Sequence, residues 1–454
     1  MSGNYWSATV PARQPQPLHG DVIADVVVVG GGYTGLWTAL TLVERDPTMR
    51  VVVCERDTVG FGASGRNGGF LDPSLTHGLA NGLAHFPDEI DRLRQLADDN
   101  YAGMVGFFAR HQVTCDFEAT GMLDVAVAAH QVDELRESAE LHARHGERAD
   151  FLDADAVAEH LRSPMAMAGL HRPDAGGVLN PAKLAAELAR VASETGIAVH
   201  ERTPVTAVKA VGGGVLATTP SGRVRASRAV LATNAYSGQT LRRTNRHYVP
   251  VHDYILVTDP LGPQLLASLG WKRRQGVSDA GNQFHYFRLT ADDRLLWGGY
   301  DAIYAFGNGV GPRFDERPET FARLQVHLKQ MFPVLRDVAI PFAWGGPIAT
   351  TTRFTPAFGE TLGGRLIYAL GYTGLGVGAT RFAARVLADR LTDPGSPLLT
   401  LRYVRKAPFG FPPEPLRWAA VTLVRRSLAS ADRHGGRRGL LLRTLDAAGI
   451  GFDS

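Results

Sequence analysis

Three glycines with the spacing G-x-G-x-x-G stand where an apolar run gives way to a helical pattern. Gly30, Gly32 and Gly35 lie in "DVVVVGGGYTGLWTALTLVERDPTMRVVVCE", which ends on the acid Glu55 after a second strand-like run. In such a turn the first glycine allows a tight bend, the second lets the backbone approach a pyrophosphate, and the third lets the helix pack on the strand. The final carboxylate can accept hydrogen bonds from ribose hydroxyls. The segment therefore predicts a dinucleotide-binding βαβ unit, with a plain strand-to-helix turn as the alternative.

Two further glycine-rich stretches favour a flavin over a nicotinamide dinucleotide. "GFGASGRNGGF", residues 60–70, is too rich in glycine for a helix or strand and predicts a loop. "GYTGLGVGAT", residues 371–380, predicts a turn before a long helix. The partial positive charge at the start of that helix could stabilise negative charge on the pyrimidine edge of a reduced flavin. A turn that only packs the helix is the alternative.

The order of strand and helix patterns indicates an α/β fold in two parts. Strand–helix–strand patterns around the glycine motifs predict a discontinuous Rossmann-type FAD-binding domain. A strand-rich stretch with many aromatic residues predicts an inserted α+β substrate-binding domain dominated by a mixed or antiparallel sheet. The expected ranges are 1–20 for an N-terminal extended segment without regular structure, 21–88, 152–245 and 346–400 for the FAD-binding domain, 89–151 and 246–345 for the substrate-binding domain, and 401–454 for a C-terminal helical tail.

Composition argues against several classes of protein. The 454 residues carry a formal net charge of only +3, so a nucleic-acid partner is not expected. Cys54 and Cys115 cannot make a disulfide framework or a thiolate metal site, and the histidines lack metal-binding spacing. No segment reaches the roughly 18–20 apolar residues that span a bilayer, and the first residues lack the order of a secretory signal. We expect a cytoplasmic protein with no metal and no integral membrane segment.

The glycine motifs together carry a resemblance to a known family. "VVVVGGGYTGLWTAL", "ERDTVGFGASGRNGG" and "GYTGLGV" resemble the D-amino-acid oxidase and glycine oxidase superfamily of FAD enzymes. The loop "GASGRNGG" is most similar to the γ-glutamylputrescine oxidase branch, and the resemblance extends over about residues 5–400. It implies that a small primary or secondary amine, such as an acylated diamine or an amino acid, gives hydride to the flavin. The resulting imine would be hydrolysed by water to an aldehyde and a released amine or ammonia.

The resemblance also assigns the cofactor contacts. It implies that the diphosphate is approached by Gly30, Gly32 and Gly35, and the ribose by Glu55 and Arg56. The flavin and its phosphates would be lined by Ser64, Arg66, Asn67, Gly68 and Gly69. Val205 would hold the adenine, and the pyrimidine end of the ring would be met by Gly374, Gly376 and Val377. Arg66 stands where some members carry a flavin-attaching His, and neither cysteine lies in the later sheet, so FAD is expected to bind non-covalently. Leu296 stands where sarcosine-oxidase-like members carry a Lys that promotes reaction with dioxygen.

Substrate-facing residues are expected in the inserted sheet and the loop before it. The candidates are Phe70, Tyr254, His285, Tyr286, Trp344 and Arg353. Alternate strand residues point away from any pocket, so many of the aromatic residues must belong to the core. His285 can equally be a strand histidine with a satisfied hydrogen bond, and Arg353 either pairs with a substrate carboxylate or is structural. The basic amphipathic tail is expected to dock on the protein or on a second subunit, with membrane-surface attachment as the alternative.

Hydride transfer to a flavin needs little acid–base machinery, which fits the lack of an obvious catalytic dyad in the sequence. It needs the substrate carbon held within about 3–3.5 Å of the flavin in a water-poor pocket. Three functions stay open from the sequence. They are an amine oxidase that uses dioxygen, an amine or amino-acid dehydrogenase that passes electrons to a carrier, and a redox-inert flavin-binding protein with a structural or partner-binding role.

Overall fold

The N-terminal strand–turn–helix–strand unit forms as the glycine spacing predicts. The computed structural model describes residues 3–11 and 14–447. Strand Gly20–Val29 leads into helix Tyr33–Arg45 and then into strand Val51–Cys54, which pairs in parallel with the first strand. The rest of the predicted N-terminal segment and C-terminal tail, residues 1, 2, 12, 13 and 448–454, lies outside the described residues.

Strands and helices alternate along most of the chain. The strands are β1 (Gly20–Val29), β2 (Val51–Cys54), β3 (Phe70–Leu71), β4 (Met122–Ala126), β5 (Asp150–Leu152), β6 (Ala168–Arg172), β7 (Gly177–Val178), β8 (Ala198–His200), β9 (Ala207–Val211), β10 (Gly214–Thr219), β11 (Gly222–Leu231), β12 (Val249–Pro260), β13 (Gly276–Asp279), β14 (His285–Leu289), β15 (Arg294–Gly299), β16 (Ile303–Tyr304), β17 (Phe342–Thr350), β18 (Ala357–Thr361) and β19 (Leu366–Leu370). The α-helices are α1 (Tyr5–Ala8), α2 (Tyr33–Arg45), α3 (Leu79–His85), α4 (Ile90–Arg110), α5 (Ala129–Arg144), α6 (Ala154–Ala158), α7 (Pro181–Glu194), α8 (Ser237–Thr240), α9 (Pro263–Leu269), α10 (Pro318–Met331), α11 (Gly376–Thr392), α12 (Arg402–Arg405), α13 (Leu416–Arg433) and α14 (Leu440–Ala447). Short 3₁₀ helices cover Ala63–Gly65, Asn234–Tyr236, Arg242–Arg246, Pro312–Phe314, Pro333–Leu335 and Pro397–Thr400.

The first sheet contains the βαβ unit and collects strands from separated parts of the chain. Its order is β18-β19-β11-β1-β2-β8, with the hairpin β9–β10 attached to β11. Strand β1 pairs in parallel with β2 and β11, and β11 pairs in parallel with β19. Helices α7 and α11 pack against α2, and the three share with the sheet a core that includes Val28, Leu188 and Phe382. The fold is therefore the predicted discontinuous Rossmann type.

The second sheet is the predicted mixed sheet and takes more of the chain than expected. Its order is β16-β12-β15-β14-β13-β4-β6-β5, with β17 paired to β12. Most pairs are antiparallel, whereas β13 and β4 run in parallel. The expected boundary at residue 152 lies too early, because β6 pairs with β4 in this sheet. The boundary at residue 346 would cut through β17, whose residues continue to pair with β12 as far as Thr350.

The N-terminal segment is more ordered than its composition predicts. Trp6 is only 1% exposed and its Nε1 donates to the Asn67 carbonyl oxygen at 2.9 Å. The Asn4 side chain donates to the Gly65 carbonyl oxygen at 2.7 Å and accepts from the Trp6 amide. The expected lack of regular structure is wrong for α1, because Tyr5 and Trp6 are buried against the second sheet. This segment therefore holds the glycine-rich loop of residues 60–70 in place.

The described part of the C-terminal tail packs on the body of the chain. One Asp432 carboxylate oxygen accepts from the Asn282 amide at 2.9 Å and the other from the Gln283 amide at 3.0 Å, which fixes the end of α13. Near the start of α13, Glu414 accepts from the Gly307 amide at 3.0 Å. Within residues 3–11 and 14–447, no helix combines the length and the apolar character needed to cross a membrane.

Trp6→Ala should lower the free energy of unfolding by about 3–5 kcal/mol, because it removes a fully buried aromatic side chain and leaves a cavity. Ser7→Ala, which alters an exposed side chain of the same short helix, should change it by no more than about 0.5 kcal/mol. Urea unfolding followed by circular dichroism measures both variants. Equal midpoints for the two would show that docking of α1 does not stabilise the protein.

Candidate active site

A cavity of about 830 Å³ is lined by both sheets and by the C-terminal tail. It starts at the carboxyl ends of the parallel strands, where Val29, Cys54 and Ala232 line it. Ligands of open α/β sheets bind in the crevice at this end of the strands. The cavity continues along the glycine-rich loop to the face of the second sheet, where Asp253 and Tyr286 line it.

The first glycine motif makes the turn at the end of β1. Gly30 has a φ of +112°, and a Cβ there would lie 2.7 Å from the Ala232 carbonyl oxygen. Gly32 lines the cavity and precedes α2 without capping it by a side chain, so the first-turn amides other than that of Tyr33, which donates to Ser64, can face an anion. Gly35 does not line the cavity. A Cβ on Gly35 would lie 1.9 Å from the Gly30 carbonyl oxygen, so its role is close packing of the helix on the strand.

The acid at the end of β2 is half-buried beside the turn. The Gly31 amide donates to one Glu55 carboxylate oxygen at 2.7 Å, and the Asp57 amide donates to the other at 2.9 Å. Desolvation raises the pKa of Glu55, and the two amides oppose that rise. Arg56 donates to Gln239 at 2.7 Å, and Val205 lines the same end of the cavity. A carboxylate with remaining lone pairs is suited to accept from hydroxyl groups.

The glycine-rich loop is fixed by its own hydrogen bonds and by its neighbours. The Ser64 hydroxyl accepts from the Tyr33 amide at 3.0 Å, which ties the loop to the start of α2. Asn67 donates to the Ser64 carbonyl oxygen at 3.2 Å and accepts from the Gly69 amide at 2.8 Å. The Gly69 carbonyl oxygen accepts from the buried Arg288 at 3.0 Å, so Gly69 faces away from the cavity. The cavity is lined by Ser64, Asn67 and Gly68, all three of which were predicted to contact the cofactor.

Arg66 lies between the loop and the second sheet. Its guanidinium donates to Asp315 at 2.6 Å, and its carbonyl oxygen accepts from Trp344 Nε1 at 2.9 Å. Both Arg66 and Trp344 line the cavity. The charge of Arg66 is therefore already matched by a carboxylate.

The second glycine motif forms the turn before α11. Gly374, with a φ of +93°, and the first helical residues Gly376 and Val377 line the cavity. Because α11 packs against α2, the N-termini of both helices reach the same cavity. Their partial positive charges suit the anionic parts of a dinucleotide.

A row of polar residues crosses the cavity-facing side of the second sheet. Tyr286 lies opposite Ser278 on β13, and Ser278 lies opposite Asp124 on β4. The Tyr286 hydroxyl donates to Asp253 on β12, and the Ser278 hydroxyl donates to Asp124. Arg172 extends the row from the neighbouring strand, 3.4 Å from Asp124. The residues of this polar row, all of which line the cavity, are Asp124, Arg172, Asp253, Ser278 and Tyr286.

Asp253 is the most perturbed acid of this row. Burial raises its pKa to about 6, although the Tyr286 hydroxyl and the amides of Tyr254 and Gly299 favour the charged form. Burial also raises the pKa of Tyr286, and the charge of Asp253 adds to that rise. Tyr286 therefore stays protonated and acts as a hydrogen-bond donor. Strong pKa perturbation inside a cavity is typical of functional sites.

The aromatic candidates divide between cavity and core. Phe70 meets Tyr286 edge to face, with ring centroids 5.6 Å apart, and both line the cavity together with Trp344. Tyr254 does not line it. Its ring packs on Phe321 in the core of the second sheet, and its hydroxyl donates to the Phe314 carbonyl oxygen at 2.9 Å.

Two polar candidates face away from the cavity. His285 binds Asp279 at 2.6 Å and His327 at 2.9 Å, so it is the strand histidine with satisfied hydrogen bonds. Arg353 donates to Thr355 at 2.7 Å and to the Lys406 carbonyl oxygen at 2.7 Å. Of the two alternatives for Arg353, the structure favours the structural one over pairing with a substrate carboxylate, because its donors are used to hold the tail.

Of the polar row only Tyr286 was predicted from the sequence, and Asp253, Ser278, Asp124 and Arg172 were not. Asp253 follows Val249 and Val251 at alternate positions and precedes Ile255, and all four line the cavity. An acid within an alternating apolar pattern was the available signal. The pairing of Asp253 with Tyr286 depends on the order of the strands in the sheet, which the local sequence does not contain.

These features fit FAD. The glycine turn leaves first-turn amides of α2 other than that of Tyr33 for a diphosphate, Glu55 offers its remaining lone pairs to ribose hydroxyls, and the second glycine turn brings another helix N-terminus to the cavity. The glycine-rich loop and Phe70 would be the residues that hold the ring system.

Comparison with known proteins agrees with this geometry. The E. coli (strain K12) protein "Gamma-glutamylputrescine oxidoreductase" is 32% identical over 397 residues, covering 86% of this chain and 89% of that protein. An L-proline dehydrogenase from P. horikoshii has a similar fold, with a TM-score of 0.69, 19% identity and coverage of 85% of this chain and 97% of the other. A glycine oxidase from Bacillus cereus gives a TM-score of 0.68 at 20% identity, covering 83% and 97%. Residues 25–390 match the family described as "FAD dependent oxidoreductase", and the chain, an enzyme with FAD as its cofactor, belongs to that family.

Proposed function

We propose that this enzyme oxidises an amine that has no carboxylate on its reacting carbon. The observation that carries the proposal is the charge of the cavity wall. Asp253 has a tyrosine hydroxyl as its side-chain partner, so its negative charge is available to an ammonium group. Arg66 donates to Asp315 at 2.6 Å, and Arg172 lies between two carboxylates, 3.4 Å from Asp124 and 3.6 Å from Asp72, so neither is free to bind a substrate carboxylate beside the reacting carbon. The relative named for an amine substrate, γ-glutamylputrescine, supports the same choice.

The residues of the cavity bind and orient the amine. Bound FAD supplies a two-electron acceptor that takes a hydride from the carbon next to nitrogen. Asp253 attracts the ammonium form, Tyr286 fixes the carboxylate by its hydrogen bond, and Phe70 covers the site with an apolar ring. The ammonium must give its proton to solvent water before the hydride leaves, since only the free base has the lone pair that drives the transfer. Water then hydrolyses the imine to an aldehyde and ammonia or a smaller amine.

For the electron acceptor, one observation favours a carrier over dioxygen. Leu296 stands where related oxidases carry a Lys, and its side chain is fully buried in an apolar cluster with Trp6 and Trp344. Reoxidation of the reduced enzyme in air, followed by stopped flow, separates the two. Reoxidation faster than turnover would instead support an oxidase. A redox-inert flavin protein would not need the half-buried Asp253–Tyr286 pair in its cavity.

Gly32→Asp and Glu55→Lys should each remove FAD from the purified protein. The first adds a carboxylate where the backbone must approach the diphosphate, and its Cβ would lie 2.9 Å from the Ser64 hydroxyl. The second removes the ribose acceptor. Gly213→Asp is the matched control, because nothing lies within 4 Å of a Cβ at that exposed glycine. FAD content is read from visible absorbance, and full occupancy in both site variants would contradict the assignment.

The FAD should be released completely by acid precipitation. Burial raises the pKa of Cys54 and of Cys115 to about 12, so both thiols stay neutral and unreactive. Arg66 occupies the place of a flavin-attaching His and cannot form such a bond. The supernatant and the precipitate are assayed for flavin fluorescence. Flavin fluorescence that stays with the denatured chain on a gel would contradict non-covalent binding.

The rate of flavin reduction at low amine concentration should fall as pH drops through about 6. Asp253 has a raised pKa, so it is charged above that pH and neutral below it, and attraction of the ammonium is lost on acidification. A second dependence at higher pH should follow the free amine, whose pKa in water is about 10.4. Anaerobic stopped flow with amines and amino acids across the pH range measures both limbs.

Asp253→Asn should abolish only the limb near pH 6 and raise the KM for amines, while the limb set by the amine persists. Deuterium on the reacting carbon should slow reduction in both proteins. A limb near pH 6 that survives in Asp253→Asn would remove Asp253 from amine binding. Reduction by a hydroxy acid but by no amine would refute the proposed function.

A further inference from the structure

Helix α13 lies beyond the residues that match the family, yet it forms part of the cavity wall. The residues of this helix that line the cavity are Ala420, Val421, Val424, Arg425 and Leu428. Their spacing places them on one face of the helix. Four of the five are apolar, and Arg425 is the charged residue among them. Because the rest of this helix face is apolar, we expect the guanidinium of Arg425 to have a partner of opposite charge within the cavity.

The nearest acid does not use up the charge of Arg425. Asp301 is buried, at 4% exposed, and accepts hydrogen bonds from Thr320 and from Arg323. Arg425 lies 3.7 Å from the other carboxylate oxygen of Asp301, which is beyond hydrogen-bond distance. One carboxylate therefore faces two guanidinium groups, so the single charge of Asp301 cannot balance both.

The two ends of the substrate region thus differ in sign. Asp253 places an uncompensated negative charge on the second sheet, and Arg425 places a weakly paired positive charge on α13. Both residues line the same cavity. A guanidinium binds a carboxylate through two parallel hydrogen bonds, a geometry that a lysine or a neutral donor does not reproduce.

We propose that Arg425 is a substrate-binding residue for a carboxylate at the end of the amine remote from the reacting carbon. This inference rests on the proposed amine oxidation and narrows its substrate class to amines that carry a distal carboxylate. The ammonium end would lie at Asp253, and the carboxylate end would lie at α13. The helix outside the matched family region then sets specificity, while the family region holds the cofactor.

The test compares pairs of amines that differ only in the distal carboxylate. The pairs are γ-aminobutyrate with butylamine, δ-aminovalerate with pentylamine, and ε-aminocaproate with hexylamine. For each pair, kcat/KM for anaerobic flavin reduction is measured, and the ratio of the acid to the alkylamine is taken. At the best chain length the holoenzyme should favour the acid by about 10- to 100-fold, the value of a charge-assisted hydrogen bond.

Arg425→Met should bring that ratio close to one, mainly through the KM of the amino acid. Arg425→Lys, which keeps the charge but not the planar fork, should give an intermediate ratio. Arg426→Met is the matched control, because Arg426 is exposed on the same helix and does not line the cavity. It should leave the ratio as in the unchanged enzyme. Each variant is checked for FAD content and melting temperature before the ratios are compared.

The outcomes separate the two proposals. If amines reduce the flavin but no pair favours the acid, or if Arg425→Met keeps the ratio, the role of Arg425 is refuted and amine oxidation stands. If Arg425→Met lowers both members of a pair equally, Arg425 is structural. If no amine of any kind reduces the flavin, the proposed function itself fails.

Discussion

The contact between helix α2 and strand β1 is the constraint on which the cofactor end of the cavity depends. Gly35 has no side chain to keep the helix away from the Gly30 carbonyl oxygen, and a single Cβ would not fit there. With the helix in this place, its first-turn amides face the cavity and Ser64 can accept from the Tyr33 amide. Helix α11 packs on α2, so the second glycine turn arrives at the same cavity. One close approach thus positions both helix N-termini and the loop between them.

The opposite wall of the cavity, formed by the second sheet, is constrained by the cost of placing a charged side chain where little water reaches it. A buried carboxylate is costly unless hydrogen bonds replace its hydration. Asp253 receives a hydroxyl from Tyr286 and two backbone amides, yet its pKa still rises, so the replacement is incomplete. A cationic ligand beside Asp253 would supply the stabilisation of its negative charge that these hydrogen bonds do not. Asp124, by contrast, has the positive charge of Arg172 3.4 Å away to balance its own negative charge.

The sequence predicted the fold, and most of the residues that it assigned to the cofactor line one cavity, because the determinants of both are local. Turn glycines, the strand that precedes them and the acid that follows lie within one short stretch, so spacing alone identifies them. The substrate face was predicted less well, because membership of that face depends on strand pairing across distant segments. Arg353 and His285 have the right chemistry, but their donors and acceptors are engaged elsewhere. Tyr286 was predicted as a substrate-facing residue, whereas Asp253 was not, although it is an acid within an apolar alternation, and their contact depends on the pairing of distant strands.

The docking of Trp6 has a consequence for how the molecule assembles. Its Nε1 bonds to the loop at Asn67, and its ring packs with Leu296 and Trp344, which are synthesised some three hundred residues later. Contacts between such distant segments form slowly, because a long loop must be closed before they stabilise anything. Helix α1 therefore reaches its final place only after the chain has been made as far as Trp344. The glycine-rich loop that Trp6 holds is completed at the same time, which couples maturation of the binding site to synthesis of the second sheet.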